Sequence, residues 1–150
     1  MRIFGLTNIW IVAMPTKTRV LFVCTANAVR SQMAEALLRR LRPDTYEVFS
    51  AGTAPTEVDP LALRALEFFD VVPSDLHSKS LEQFRGQAFD YVIALCKKSE
   101  AECQTVHCDG EYMAWDFEDP QTVGTAGAYV KTLKEIQQRI HMFLLVTEKE

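Results

Sequence analysis

Arg19-Val20-Leu21-Phe22-Val23-Cys24-Thr25-Ala26-Asn27-Ala28-Val29-Arg30-Ser31 is the stretch on which the reading of this chain turns. Its first part is a continuous apolar run, the pattern of a strand buried on both faces of a sheet. From Ser31 the period changes: Met33, Leu37, Leu38 and Leu41 recur at helical spacing until Pro43 stops the helix. Cys24 therefore lies where a strand ends, and Arg30 where a helix begins. A thiol, a loop of backbone N–H groups, a helix N-terminus and a guanidinium converge there, an arrangement that suits a tetrahedral oxyanion. A thiolate held against such an anion is a nucleophile. The hydroxyl of Ser31 is placed either to cap the helix or to hydrogen-bond the sulfur. The competing reading makes Cys24 a small core hydrophobe and Arg30 a surface charge.

Outward from this stretch, strand and helix patterns alternate to the end of the chain. A second strand over 46–50 leads into the turn Ala51-Gly52-Thr53. Asp59 and Pro60 then read as N-cap and first-turn proline of a helix carrying Leu63, Leu66 and Phe69. A third strand over 91–95 delivers Cys96, and a fourth over 112–117 delivers Asp119-Pro120. Leu133, Ile136, Ile140, Phe143 and Leu144 give a final helix its apolar face. The order predicts one α/β domain over 18–150, in three layers, with a four-stranded parallel sheet flanked by helices. In such sheets ligands bind outside the carboxyl ends of the strands, so Cys24, Cys96 and Asp119 are expected at one crevice.

Composition narrows the function classes. With 16 basic and 20 acidic residues the net charge is −4, which does not suggest a nucleic-acid binder. The four cysteines, Cys24, Cys96, Cys103 and Cys108, are too few and too unevenly spaced for a secreted disulfide scaffold, and are read as cytosolic thiols. Residues 1–13 are apolar but interrupted by Thr7 and Asn8, a poor fit to a signal peptide or a membrane span. Met14 reads as a possible start, and residues 1–17 are expected to be a disordered extension outside the fold. A cytoplasmic monomer without membrane partners is the expectation.

Releasing an oxygen from an oxyanion calls for a proton donor, and Asp119, stiffened by Pro120, is the candidate. Asp59 already serves as a cap; Asp116 and Glu118 read as solvated loop carboxylates. Cys96 and Cys103 are separated by six residues, Lys97-Lys98-Ser99-Glu100-Ala101-Glu102. If the bound anion has a redox-active centre, a second thiol can attack the first sulfur and a third can resolve the disulfide. Lys97 and Lys98 are expected to favour thiolate at Cys96, and the linker to Cys103 must be mobile enough to close the bond. The alternatives are inert packing cysteines, or a zinc site of Cys96, Cys103, His107 and Cys108 that lacks close Cys-x2-Cys pairs.

Val20 to Glu35, the Ser50-Ala51-Gly52-Thr53 segment and Asp119-Pro120 together resemble the low-molecular-weight tyrosine phosphatase superfamily, and within it the thioredoxin-coupled arsenate reductases. Arg-Ser-Gln-Met-Ala-Glu at Arg30 to Glu35, the Cys96-x6-Cys103 pair and Gln121, where phosphatases usually place tyrosine, point to that branch. The resemblance implies a flavodoxin-like winding. It implies a loop of Thr25, Ala26, Asn27, Ala28, Val29, Arg30 and Ser31 that binds arsenate or phosphate. Cys24 would attack arsenate and Asp119 would protonate the departing oxygen. Cys96 then attacks Cys24, arsenite leaves, Cys103 attacks Cys96, and thioredoxin reduces the Cys96–Cys103 disulfide. Ala26, Ala28 and Val29 depart from the glycine, serine and cysteine common in the family. Ala26 would strain the loop if positive φ were needed there, and Ala28 lacks a hydroxyl to steady Asn27. Some relatives bind potassium through positions matching Asn27, Glu35 and Ser50; here Lys79 is expected to replace the ion, so neither a metal nor a tightly bound cofactor is implied. Two alternatives stand beside the reductase: a phosphatase working through a Cys24 phosphocysteine, and a non-catalytic module binding oxyanions or phosphoproteins.

Overall fold

The structure, a computed structural model, describes residues 16–72, 75–103 and 108–148. The N-terminal extension expected over 1–17 falls almost wholly outside those residues, as does His107 of the zinc alternative. Four strands, β1 (Thr18–Cys24), β2 (Tyr46–Gly52), β3 (Ala88–Ala94) and β4 (Asp109–Ala114), form one sheet in the order β2-β1-β3-β4. Every pairing is parallel, with Val20 opposite Val48 on one side and Tyr91 on the other. The helices are α1 (Arg30–Leu41), α2 (Pro60–Phe68), α3 (Lys97–Cys103) and α4 (Ala126–Thr147). Short 3₁₀ turns lie at Leu81–Phe84 and Pro120–Thr122.

The apolar run of β1 is buried because it is a central strand with layers on both faces. Alternation divides it: Val20 and Phe22 join the core formed with α1, α2 and α4, while Leu21 and Val23 join a smaller core with Leu81, Phe84, Phe89, Cys103 and Cys108. The winding reverses between β1 and β3, since β2 lies to one side of β1 and β3 to the other. That reversal opens a crevice at the carboxyl ends of these two strands. Cys24 closes β1 and Cys96 follows β3, so both thiols lie at the switch point.

The expected elements appear with shifted ends. Asp59 caps α2 as anticipated, its Oδ1 accepting from Leu61 N at 2.9 Å. The fourth strand comes earlier than 112–117. Its residues before Tyr112 are exposed at the sheet edge and carry no apolar pattern, so sequence periodicity catches only its second half. The chain still runs beside β3 beyond the strand, with Trp115 N donating to Ala94 O at 2.7 Å and Phe117 N to Leu95 O at 3.2 Å. The segment between Cys96 and Cys103, expected as a mobile linker, is helix α3 in this state.

Candidate functional site: an anion loop with a second thiol at its rim

The loop between β1 and α1 is held from outside by its carbonyl groups. Cys24 O accepts from Thr53 N (3.2 Å), Thr25 O from Ala54 N (2.8 Å), Ala26 O from Thr56 N (2.9 Å) and Ala28 O from Asp59 N (3.0 Å). Asn27 O accepts from Gln32 Nε2 and Ser78 Oγ, both at 2.9 Å. In a trans peptide the N–H points opposite to its C=O. The amides of residues 25–29 therefore turn inward as a set, and that of Asn27 reaches Cys24 Sγ at 3.2 Å. Such a concave row of N–H groups at a helix start suits an anion. Helix α1 has no side-chain cap. Ser31 instead points back to the sulfur, with Oγ 2.8 Å from Cys24 Sγ, which resolves the choice between its two expected roles.

Asn27 bears the conformational strain of the loop. Its φ is 51°, whereas Ala26 is not among the described residues of positive φ, so the glycine-like position expected at Ala26 is taken by Asn27. Steadying it does not need a hydroxyl at position 28. Asn27 Nδ2 donates to Ser31 Oγ (2.7 Å) and Ser50 Oγ (3.0 Å), and its Oδ1 accepts from Lys79 N (2.8 Å). Gly52 is needed for close approach: a Cβ there would lie 2.6 Å from Thr25 O. Behind Asn27, Ser50 Oγ donates to Glu35 Oε1 at 2.5 Å, Lys79 Nζ lies 3.6 Å from the same oxygen, and Arg39 Nη2 donates to Glu35 Oε2. Lys79 Nζ also donates to His77 O at 2.8 Å. Burial holds the Lys79 amine below its ordinary range, against the opposing pull of Glu35.

At the mouth, Arg30 Nη1 donates to Phe117 O at 2.9 Å and Nη2 lies 3.7 Å from Asp119 Oδ2. Asp119 Oδ1 accepts from Gln121 N at 3.0 Å. Asp116 and Glu118 are exposed, as expected of solvated carboxylates. Cys96 Sγ lies 3.7 Å from Thr25 Oγ1 and 3.1 Å from Ser99 Oγ. Burial opposes ionisation of this thiol, but hydrogen bonds from Ser99 and Thr25 together with the charge of Arg30 outweigh it, so Cys96 is held below the ordinary thiol range. Those groups, rather than Lys97 and Lys98, favour its thiolate; Lys97 points to solvent, 4.0 Å from Asp116. Cys103 sits at the far end of α3 in the smaller core. Burial first, then Cys108 and Glu100, push its thiol up to about 11. Among the described residues no group of three or more candidate ligands is disposed to hold a metal.

The structure thus brings together Cys24, the loop 25–31, Glu35, Ser50, Lys79, Asp119 and Cys96, and sets Cys103 apart. Sequence reasoning missed Ser99, Gln32 and the segment 53–59 that pins the loop carbonyls. Backbone pinning leaves no residue signature, and Ser99 has no periodic or motif context.

This geometry, a parallel α/β sheet with a Cys-x5-Arg anion loop at its switch point, defines a class of oxyanion-handling thiol enzymes. The chain belongs to the low molecular weight phosphotyrosine protein phosphatase family, whose family model matches residues 19–150. It is 31% identical over 132 residues to an arsenate reductase of Halalkalibacterium halodurans, a match covering 85% of this chain and 95% of that one. Among solved structures it is similar to an arsenate reductase in the phosphate binding state (TM-score 0.74, 27% identity, 85% of this chain and 97% of that one). It is also similar to a thioredoxin-dependent arsenate reductase of Corynebacterium glutamicum (TM-score 0.67, 30% identity, 93% of this chain and 66% of that one). No helix among the described residues is long and apolar enough to cross a membrane.

Proposed function

We propose that this protein reduces arsenate to arsenite through Cys24, Cys96 and Cys103, with a thioredoxin-type dithiol as final reductant in the cytoplasm. The inward amides of residues 25–29 and the Arg30 fork hold arsenate, and Cys24 Sγ attacks arsenic. Asp119 donates a proton to the departing oxygen, which leaves as water. Cys96 then attacks Cys24: a Cys24–Cys96 disulfide forms, the sulfur–arsenic bond breaks, and its electron pair stays on arsenic as arsenite. Cys103 attacks Cys96, freeing Cys24 and leaving a Cys96–Cys103 disulfide for the external dithiol to reduce.

The observation that carries this reading is the Cys96 thiol, favoured toward thiolate at the rim of the anion loop and within reach of Thr25. A phosphatase needs only Cys24, Arg30 and Asp119 and has no use for that thiol. The similarity to a thioredoxin-dependent arsenate reductase of Corynebacterium glutamicum supports the choice of reductant. The final exchange requires α3 to unwind. Seven residues of helix place the two α-carbons roughly 10 Å apart along the axis, while a disulfide needs about 7 Å or less.

Potassium does not fit beside the loop in this chain. Glu35 is already paired by Lys79 and Arg39, and Asn27 Oδ1 already accepts from Lys79 N. We read the Lys79 ammonium as the resident cation there.

The test is intact-mass analysis of reduced protein after arsenate, followed by turnover with thioredoxin, its reductase and NADPH. The expected result is loss of two hydrogens, mapped to Cys96–Cys103, and a fall of roughly 10³-fold or more in turnover for Cys24→Ser. Hydrolysis of an aryl phosphate with no arsenate-driven disulfide would replace this reading with the phosphatase.

A further inference from the structure

Asp59 holds more than the start of α2. Its Oδ1 takes the capping bond from Leu61 N, but its Oδ2 takes two others: from Tyr129 Oη at 2.6 Å and from Gln121 Nε2 at 3.0 Å. Tyr129 is a buried residue in the first turn of α4, so the carboxylate is fixed from a second element. The Asp59 backbone N–H meanwhile donates to Ala28 O inside the anion loop. Asp59 is therefore fastened directly to the loop that would carry the oxyanion.

Gln121 is the other end of the bridge. Its backbone N–H meets Asp119 Oδ1, and its side chain reaches the carboxylate of Asp59. A carboxylate only accepts, so the Gln121 amide must present its NH₂ group. The path Asp119, Gln121, Asp59, Ala28 is one chain of hydrogen bonds from the candidate acid to the anion cradle. Capping does not call for it, because the cap uses the other oxygen of Asp59. Gln121 itself is exposed, so packing does not account for its direction either.

We propose that Gln121 is a positioning residue whose bridge to Asp59 sets the reach of the Asp119 carboxyl toward the leaving oxygen of an anion bound over Cys24. The inference rests on Asp119 being the acid in the function proposed above. Its consequence is a split between chemistry and binding. Proton delivery depends on the last ångström of placement, whereas the loop carbonyls are pinned by backbone N–H groups of Thr53, Ala54, Thr56 and Asp59 and by the side chains of Gln32 and Ser78, and Arg30 is anchored on Phe117 O; none of these bonds uses the Gln121 side chain.

The experiment uses the full-length reduced protein and three variants: Gln121→Met, which keeps length but not the donor; Gln121→Glu, which sets a second carboxylate against Asp59; and Asp119→Asn as reference. Two quantities are read. One is the single-turnover rate of arsenate-driven thiol loss; the other is the concentration of inorganic phosphate that protects Cys24 from alkylation. Both Gln121 variants are expected to slow thiol loss about tenfold or more while phosphate protection stays within about twofold of the parent. Parental rates in both Gln121 variants, with Asp119→Asn slow, overturn the bridge alone. Weakened phosphate protection in parallel with the rate also overturns it, because the residue would then be shaping the cradle. An Asp119→Asn protein that reacts at the parental rate, or a parent inert to arsenate, removes the function on which the bridge rests.

Discussion

Asn27 shows how one residue type meets several demands at once. It tolerates left-handed φ, its amide supplies donors to Ser31 and Ser50, and its Oδ1 accepts from Lys79 N; no alanine or aspartate could do all three. The residues behind it hold that arrangement, with Ser50 and Lys79 both on Glu35 Oε1. Removing the ammonium leaves the buried Glu35 with Arg39 and Ser50 only. Lys79→Met is therefore expected to lower stability by about 1–3 kcal/mol, read from urea unfolding. Added potassium is expected to leave the parent's unfolding midpoint unchanged. A parent stabilised by potassium but not by sodium would show that the ion, rather than Lys79, completes this cluster.

Helix α3 is the element on which the thiol chemistry depends. It places Cys96 at the rim of the anion loop and Cys103 in the smaller core, and it orders their reactivity: Ser99, Thr25 and Arg30 hold Cys96 low, while burial holds Cys103 high. The helix is tied to the loop's support by Thr53 Oγ1, which donates to Glu102 Oε1 at 2.7 Å. With iodoacetamide near neutral pH, Cys96 is expected to be labelled well before Cys103, a difference that peptide mass mapping resolves. Mild urea should close the gap, because unwinding α3 exposes Cys103 and removes the source of its shift. Equal labelling rates in the native protein would mean that α3 is already open in solution. Nothing in the periodicity of Lys97 to Cys103 foretells a helix, since the turn is short and its formation rests on packing against β1 and β3.

At the scale of the molecule, two apolar clusters among the described residues, one on either face of the sheet, hold the fold, and the smaller one contains two thiols. Cys103 and Cys108 are both raised by burial, Cys103 to about 11 from 9.0. The folded value exceeds the unfolded one, so this contribution to stability is complete below about pH 9 and disappears as pH rises toward 11. Urea midpoints are expected to fall between about pH 9 and about pH 11, and Cys103→Ala is expected to flatten that slope. An unchanged slope in the variant would assign the alkaline loss to other groups. The alternation of strands and helices apart from α3, the burial of β1 on both faces, the Cys24 to Arg30 loop and the Asp59 cap were all legible from residue pattern, because apolar period, capping chemistry and turn residues act over a few neighbours. The inward set of amides, the transfer of strain from Ala26 to Asn27, the folding of α3 and the bridge from Gln121 to Asp59 were not. Each depends on segments distant in the chain, 53–59 against 24–28 or α4 against α2, and contacts of that range arise only once the sheet has brought those segments together.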